Sequence, residues 1–267
     1  TNTPTETPTQ TPTVTLTSTP LPFVSSIKWL QMSNLPTSLA YFAVAAGNNR
    51  KIYVFGGTNS GNCCNTLNTV YVYDIETNTW SLAANMPTAR FGASATLGPD
   101  GKIYVIGGSP NYFGTGTTVE AYDPATNTWA AKAAMPTGRN GLAAVALNGK
   151  IYAIGGNTAT VEEYDPTTNT WTTKASMPTS RYGLAAVALN GKVFALGGQG
   201  PLASVVVYDS TTNTWSATTA MSAARSGPVA AVANGKVYAI GGYSGSTALA
   251  SAEEFGQDSL LYIYTKN

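Results

Sequence analysis

Residues 141–174 read GLAAVALNGKIYAIGGNTATVEEYDPTTNTWTTK. Gly141–Leu147 is expected to form a strand, Asn148-Gly149 a tight hairpin turn, Lys150–Ile154 a second strand, Thr160–Tyr164 a third and Thr170–Lys174 a fourth. Alternation, strand length and turn chemistry agree, because a type I′ turn needs two residues that tolerate positive φ. The turn returns as Asp100-Gly101, Asn190-Gly191 and Asn234-Gly235, whereas the first copy has Asn48-Asn49-Arg50. Working outward, the double glycine at Gly155-Gly156 is one of five, with Gly56-Gly57, Gly107-Gly108, Gly197-Gly198 and Gly241-Gly242. Successive pairs lie 51 residues apart at the widest (Gly56 to Gly107) and 42 at the narrowest (Gly155 to Gly197). Trp80, Trp129, Trp171 and Trp215 follow the first four pairs, each ending an Asn-Thr-Trp triplet. A unit of four short strands repeated at this period decides the fold.

The pattern resembles the kelch repeat. The double glycine ends the second strand, Tyr-Asp closes the third as Tyr73-Asp74, Tyr122-Asp123, Tyr164-Asp165 and Tyr208-Asp209, and a Trp marks the fourth. The resemblance covers roughly residues 25 to 258. It implies an all-β fold, a β-propeller of five four-stranded blades around a central channel, whose radial repetition leaves only short protected edges. Five is the literal count, although the family more often has six or seven blades. The expected organisation is an extended Thr/Pro-rich stalk over 1–24, the propeller over 25–258 and a C-terminal strand or tail over 259–267.

Closure of the ring is the open question. The fifth copy has Phe255-Gly256 in place of Tyr-Asp, and no Trp follows it. A spare Trp29 lies upstream, and its sequel Met32-Ser33-Asn34-Leu35-Pro36-Thr37 mimics the segment after the other tryptophans. Leu260-Leu261-Tyr262-Ile263-Tyr264 also has strand character, with Tyr262 seven residues after Phe255 as Trp171 is seven after Tyr164. Two strands thus compete for one place. Either one closes the ring and the other packs outside it, or the surplus strand pairs with a neighbouring molecule, since exposed edges accept strands.

The first twenty residues are different material. Thr1, Thr3, Thr5, Thr7, Thr9, Thr11, Thr13, Thr15, Thr17 and Thr19 occupy every odd position, and Pro4, Pro8, Pro12 and Pro20 every fourth place except Leu16. Proline at this density prevents helix and favours an extended chain that spans about 60 Å at roughly 3 Å per residue. In an extended strand every proline blocks the same edge and leaves the other competent to pair. Two readings stand: a mucin-like stalk with covalent O-glycans on these ten threonines, or an unmodified linker.

The chain has 14 basic and 13 acidic residues and only 10% charge, so no electrostatic pull toward nucleic acid or lipid headgroups is expected. No apolar run approaches the roughly twenty residues that cross a bilayer, and no leader is recognisable, which fits a mature extracellular or cell-surface chain. Cys63 and Cys64 are adjacent: a strained vicinal disulfide, two thiols, or bonds to other chains are the available states. The pair alone makes a poor metal site. Histidine is absent, which removes the usual general base, the Ser-His-Asp triad and imidazole metal sites. Copper held by Tyr and His, as in kelch-type propellers resembling galactose oxidase, lacks its histidines here. The carboxylates mostly recur from blade to blade, so no catalytic pair, metal or cofactor is expected.

Arg90, Arg139, Arg181 and Arg225 each lie ten residues after a blade's Trp, on the connection into the next blade. Resemblance to kelch adaptors that bind acidic peptides implies that such arginines contact ligand carboxylates, a task suited to a bidentate donor. Phe91 and Tyr182 follow two of them and are placed to stack on a sugar or aromatic group, while Leu39 breaks the ring. The competing account satisfies each Arg with a carboxylate or with loop carbonyls. Two functions remain. The favoured one is a non-enzymatic subunit of a glycosylated extracellular fibre or surface layer, partnered by itself through the Thr/Pro segment and a surplus strand. The alternative is a stalked binding head for an acidic peptide or glycan.

Overall fold

The computed structural model describes residues 31–59, 65–111 and 114–256. The chain divides into two compact units, residues 1–32 and 33–267, and every described strand lies in the second. That unit is all-β, with five antiparallel blade sheets in chain order and one two-stranded hairpin among the described residues. Blade I is β1 (Ala43–Ala46), β2 (Lys51–Phe55), β3 (Val70–Asp74) and β4 (Thr79–Ala83). Blade II is β5 (Ser94–Leu97), β6 (Ile103–Ile106), β7 (Val119–Asp123) and β8 (Thr128–Ala131). Blade III is β9 (Leu142–Leu147), β10 (Lys150–Gly155), β11 (Val161–Asp165) and β12 (Thr170–Lys174), each within a residue or so of its expected bounds. Blade IV is β13 (Ala185–Leu189), β14 (Lys192–Leu196), β15 (Val205–Asp209) and β16 (Thr214–Ala217). Blade V has β17 (Val229–Ala233), β18 (Lys236–Ile240) and β21 (Ala252–Phe255), with the small hairpin β19 (Tyr243–Ser244) and β20 (Thr247–Ala248) inserted before its last strand. The fold is therefore the expected five-bladed propeller. Four blades show all four strands and the fifth shows three among the described residues.

Local chemistry explains the blade. At the β9–β10 turn Asn148 has φ 51° and Gly149 φ 76°, the doubly positive pair a type I′ hairpin requires. The hairpin sets Leu147 opposite Lys150 and Ala143 opposite Ile154. Gly155 has φ 70°, and a Cβ there would sit 2.8 Å from the Arg181 carbonyl oxygen, which excludes any other residue at the end of the second strand.

The core is divided among the joints between blades. In the III–IV joint Val145, Leu147, Tyr152 and Ile154 pack against Val193, Ala195 and Tyr208. Equivalent clusters fill I–II, II–III and IV–V. Around the central channel the inner strands β1, β5, β9, β13 and β17 follow one another as neighbours. A recurring backbone bond spans each of these joints: Gly92 N–H to Tyr41 O, Gly141 to Gly92, Gly183 to Gly141 and Gly227 to Gly183, all 2.8 Å. No corresponding bond joins Tyr41 to Gly227 among the described residues. On the faces of blades V and I that would meet there, Val229 is 65%, Ile240 46%, Val44 51% and Tyr41 61% exposed.

Candidate functional site

The four arginines occupy the same place in blades II to V, and that place is inside the protein. Arg90, Arg139, Arg181 and Arg225 are 2%, 0%, 1% and 0% exposed. Each lies on the connection into its blade and ties the end of the second strand to the start of the third. Arg139 Nη1 donates to the carbonyls of Gly155 (2.6 Å) and Thr160 (2.7 Å). Arg181 does so to Gly197 (2.6 Å) and Ser204 (3.0 Å), and Arg225 to Gly241 (2.7 Å) and Ser251 (2.9 Å). Arg90 bonds Gly107 (3.1 Å) and Thr118 (2.9 Å). Three also face a carboxylate from the third strand: Arg90 pairs with Glu120, Arg139 Nη2 lies 3.0 Å from Glu162, and Arg225 Nη2 lies 2.9 Å from Glu253. Arg181 has no such partner, because Val206 stands at that position of β15.

The electrostatics follow. Burial lowers the affinity of Arg90 and Arg139 for their protons, opposed by Glu120 and Glu162, whereas for Arg181 burial acts unopposed. For Glu253, burial pushes the pKa up, but hydrogen bonds from Ser222, Arg225 and Ala223 outweigh it and hold the carboxyl at about 2. Asp165 is held at about 2 chiefly by the Lys150 ammonium and the Thr167 amide. Burial raises Tyr122 and Tyr164 to about 12, so neither is poised for proton transfer near neutrality.

The expected arginine-lined mouth is therefore corrected. Arg90, Arg139, Arg181 and Arg225 are consumed in holding strands together, since a buried guanidinium must find acceptors within the fold. Phe91 is buried beside Tyr41, 6.1 Å between ring centroids, and Tyr182 is half-buried over Gly141. Of the recurrent aspartates, Asp74, Asp165 and Asp209 pair with Lys51, Lys150 and Lys192, while Asp123 accepts from the Ala125 amide. No group of three or more His, Cys, Asp or Glu suited to a metal occurs among the described residues, and no helix there is long and apolar enough to cross a membrane. The ten threonines, Trp29, Tyr262, Cys63 and Cys64 lie outside the described residues.

A second repeated device, absent from the sequence reading, ties each of blades I to IV to the chain segment that precedes it. In blade II, Asn127 Oδ1 accepts from the Tyr122 hydroxyl and from the Ala84 amide, both 2.8 Å, while Trp129 Nε1 donates back to the Ala84 carbonyl at 2.8 Å. Asn169 and Trp171 grip Ala133, and Asn213 and Trp215 grip Ala175, in the same way. Asn78 and Trp80 of blade I grip Ser33. The clue available in sequence was the asparagine recurring two residues before each Trp, which at φ near 55° also forms the turn. Blade V has no such grip on the matching residue, Thr219, among the described residues. Instead a cavity of about 90 Å³ opens between blades IV and V, lined by Thr219, Met221, Phe194, Val205 and Phe255. Met221 corresponds to Met86, Met135 and Met177, which pack in the same joint clusters as Trp129, Trp171 and Trp215.

Residues 21–156 match the KLHDC2/KLHL20/DRC7 Kelch-repeats domain, and residues 138–178, 180–222 and 224–255 match the Kelch motif. The chain is similar to N-acetylneuraminate epimerase of Pasteurella multocida, 32% identical over 84 residues, which are 30% of this chain and 22% of that protein. It is similar to Beta-scruin of Limulus polyphemus, 33% identical over 93 residues, 34% of this chain and 10% of that one. In both cases the match spans less than a quarter of the relative's length. A solved structure of YjhT superposes with a TM-score of 0.74 over 85% of this chain and 84% of that one, at 20% identity, a likeness of fold. The strand order, the double glycines and the two family models agree: the chain belongs to the kelch-repeat family.

Proposed function

We propose that this propeller is a structural subunit of an extracellular fibre or surface layer, acting without catalysis and joined to copies of itself. The observation that carries the reading is the pair of uncovered apolar faces on blades I and V, the two ends of the blade series. Large apolar surfaces left bare on a folded domain mark interaction sites. The Thr/Pro segment supports it from the sequence side, as a spacer whose ten odd-numbered threonines would carry O-glycans outside a cell. The inward use of the arginines weakens the acidic-ligand alternative, because all four are buried and their Nη1 groups already donate to strand carbonyls. The test is electron microscopy of full-length native protein together with mass spectrometry of its N-terminal peptide. Regular polymers with hexose-modified Thr1 to Thr19 are expected. Unmodified monomers at every concentration would reject the reading.

A second reading has one observation in its favour, the 84-residue likeness to an N-acetylneuraminate epimerase. Incubation with N-acetylneuraminate, followed by proton NMR of the ratio of its epimers, tests it. Faster equilibration than in buffer would establish an enzyme, and an unchanged rate would remove this reading.

A further inference from the structure

We infer that blade IV takes up a small monovalent anion of the chloride class beside Arg181, in the place that a third-strand carboxylate occupies in blades II, III and V.

Blade V supplies the template. There Arg225 Nη1 donates to the Gly241 and Ser251 carbonyls, and Nη2 donates to Ser251 Oγ at 2.9 Å. Nη2 (2.9 Å) and Nε (3.3 Å) both reach Glu253 Oε1, which also accepts from the Ala223 amide at 3.1 Å. Blade IV repeats the arginine's part of this set. Arg181 Nη1 donates to the Gly197 and Ser204 carbonyls, and Nη2 donates to Ser204 Oγ at 2.9 Å. Val206 stands opposite Ala195 as Glu253 stands opposite Ala239, so register puts valine where the carboxylate would be. Valine ends at its γ-methyls and offers no acceptor. Arg181 Nε is buried without a hydrogen-bond partner among the described residues. The same is true of Nε in Arg90 and Arg139, but those guanidiniums have Glu120 and Glu162 beside them.

A guanidinium that is 1% exposed and faces no carboxylate carries a charge the fold has not balanced, and an unpaired buried charge is strongly destabilising. Burial acts on its proton affinity unopposed. Two carbonyls and a hydroxyl share its donors without cancelling its charge. An anion on Nε and Nη2 would cancel it through charge-assisted hydrogen bonds.

The connection over Arg181 also differs from its counterparts. The two residues before the arginine are half-buried in blades II, III and V, as Thr88-Ala89, Thr137-Gly138 and Ala223-Ala224, whereas Thr179-Ser180 of blade IV is exposed. Thr88 and Thr137 donate Oγ1 to Glu120 and Glu162 at 2.8 and 2.7 Å. Thr179 matches them, and its amide matches that of Ala223, so it brings further donors to the anion from the solvent side. The exposed connection is the way in. One guanidinium balances one negative charge, so the site favours a monovalent ion over sulfate or phosphate.

The test exchanges sodium gluconate, whose anion is too bulky to enter, for sodium chloride at constant ionic strength and follows thermal unfolding of the full-length protein. Tm is expected to rise by about 3–5 °C for each tenfold increase of chloride above its dissociation constant. Val206→Glu, which brings its own carboxylate, should show no chloride dependence; if it does not fold, Val206→Gln places an amide oxygen at the same reach. Crystals of the parent soaked in bromide should give an anomalous peak beside Nε and Nη2 of Arg181 and none beside Arg90, Arg139 or Arg225. An equal rise in parent and variant would be a general salt effect and would overturn the proposal. So would a parent indifferent to chloride, which would mean that water or packing suffices. Bromide absent from Arg181 would also overturn it, as would bromide there without any chloride effect on Tm, which would be binding at crystal concentration only.

Discussion

Blades III and V are copies of one sequence pattern with opposite surroundings. In blade III the inner strand β9 and the second strand β10 are almost wholly buried, with a neighbouring blade on either side. In blade V the corresponding β17 is largely exposed, although Val229, Ala231 and Val232 are as apolar as Ala143, Val145 and Ala146. The β17–β18 hairpin of blade V pairs in the same register as β9–β10 of blade III, and blade V docks on blade IV through Phe194 and Phe255 rings 5.7 Å apart, much as Tyr152 and Tyr208 meet across III–IV at the same 5.7 Å. The difference teaches that a blade's strands form from local pattern and one neighbour, while burial of its second face depends on a partner the repeat itself does not specify.

Substitution of the same position in both blades is the strongest way to break this comparison. Ala143→Asp, on the face of blade III that meets blade IV, should destabilise by about 4 kcal/mol or more, because an unpaired carboxylate would be buried. Val229→Asp, its counterpart in blade V, should stay within about 0.5 kcal/mol in dilute monomer. Urea unfolding measures both, and equal losses would mean that the V face is covered in solution.

The arginine pairs sharpen it next. Glu162→Ala leaves Arg139 buried without its carboxylate and is expected to cost about 3–5 kcal/mol. The same comparison by urea unfolding for Glu253→Gln should give about 2 kcal/mol, since Glu253 is partly exposed and water can replace it beside Arg225. Its pH signature is separable. The pKa of Glu253 is held at about 2 in the fold, below its ordinary 4.5, so its contribution is full above pH 4.5 and disappears as pH falls toward 2. Thermal melts between pH 5 and 2 should therefore fall less steeply for Glu253→Gln than for the parent protein. An unchanged slope would contradict the assigned bonds.

The smallest effect is expected at Arg181. Val206→Glu would supply the carboxylate that blades II, III and V possess, and the attraction gained should roughly offset the cost of burying it, for a net change within about 1 kcal/mol. A loss above about 3 kcal/mol would show that blade IV has packed its third strand around valine.

Much of this was legible in the chain. Asn148-Gly149 and the double glycines carry their own backbone preferences, and the alternation between them states strand and face, so the elements of blade III appear within a residue or so of their expected ends. The arginines were legible as a repeated feature and misplaced as a ligand surface, because a spacing of ten residues after Trp fixes position along the connection and not whether the side chain turns to the channel or to the strands. Nor did the sequence show the grip of Asn127 and Trp129 on Ala84, which joins residues more than forty positions apart.

The sequence by itself determined the repeat, the strands, their turns and the propeller, because each depends on interactions inside about forty residues and is written five times. Only the tertiary structure decided that the four arginines point inward, that a cavity opens beside Thr219, and that Val44 of the first blade and Val229 of the last are exposed. Those outcomes depend on which surfaces meet after the blades have formed, a property of the whole ring that no single repeat contains.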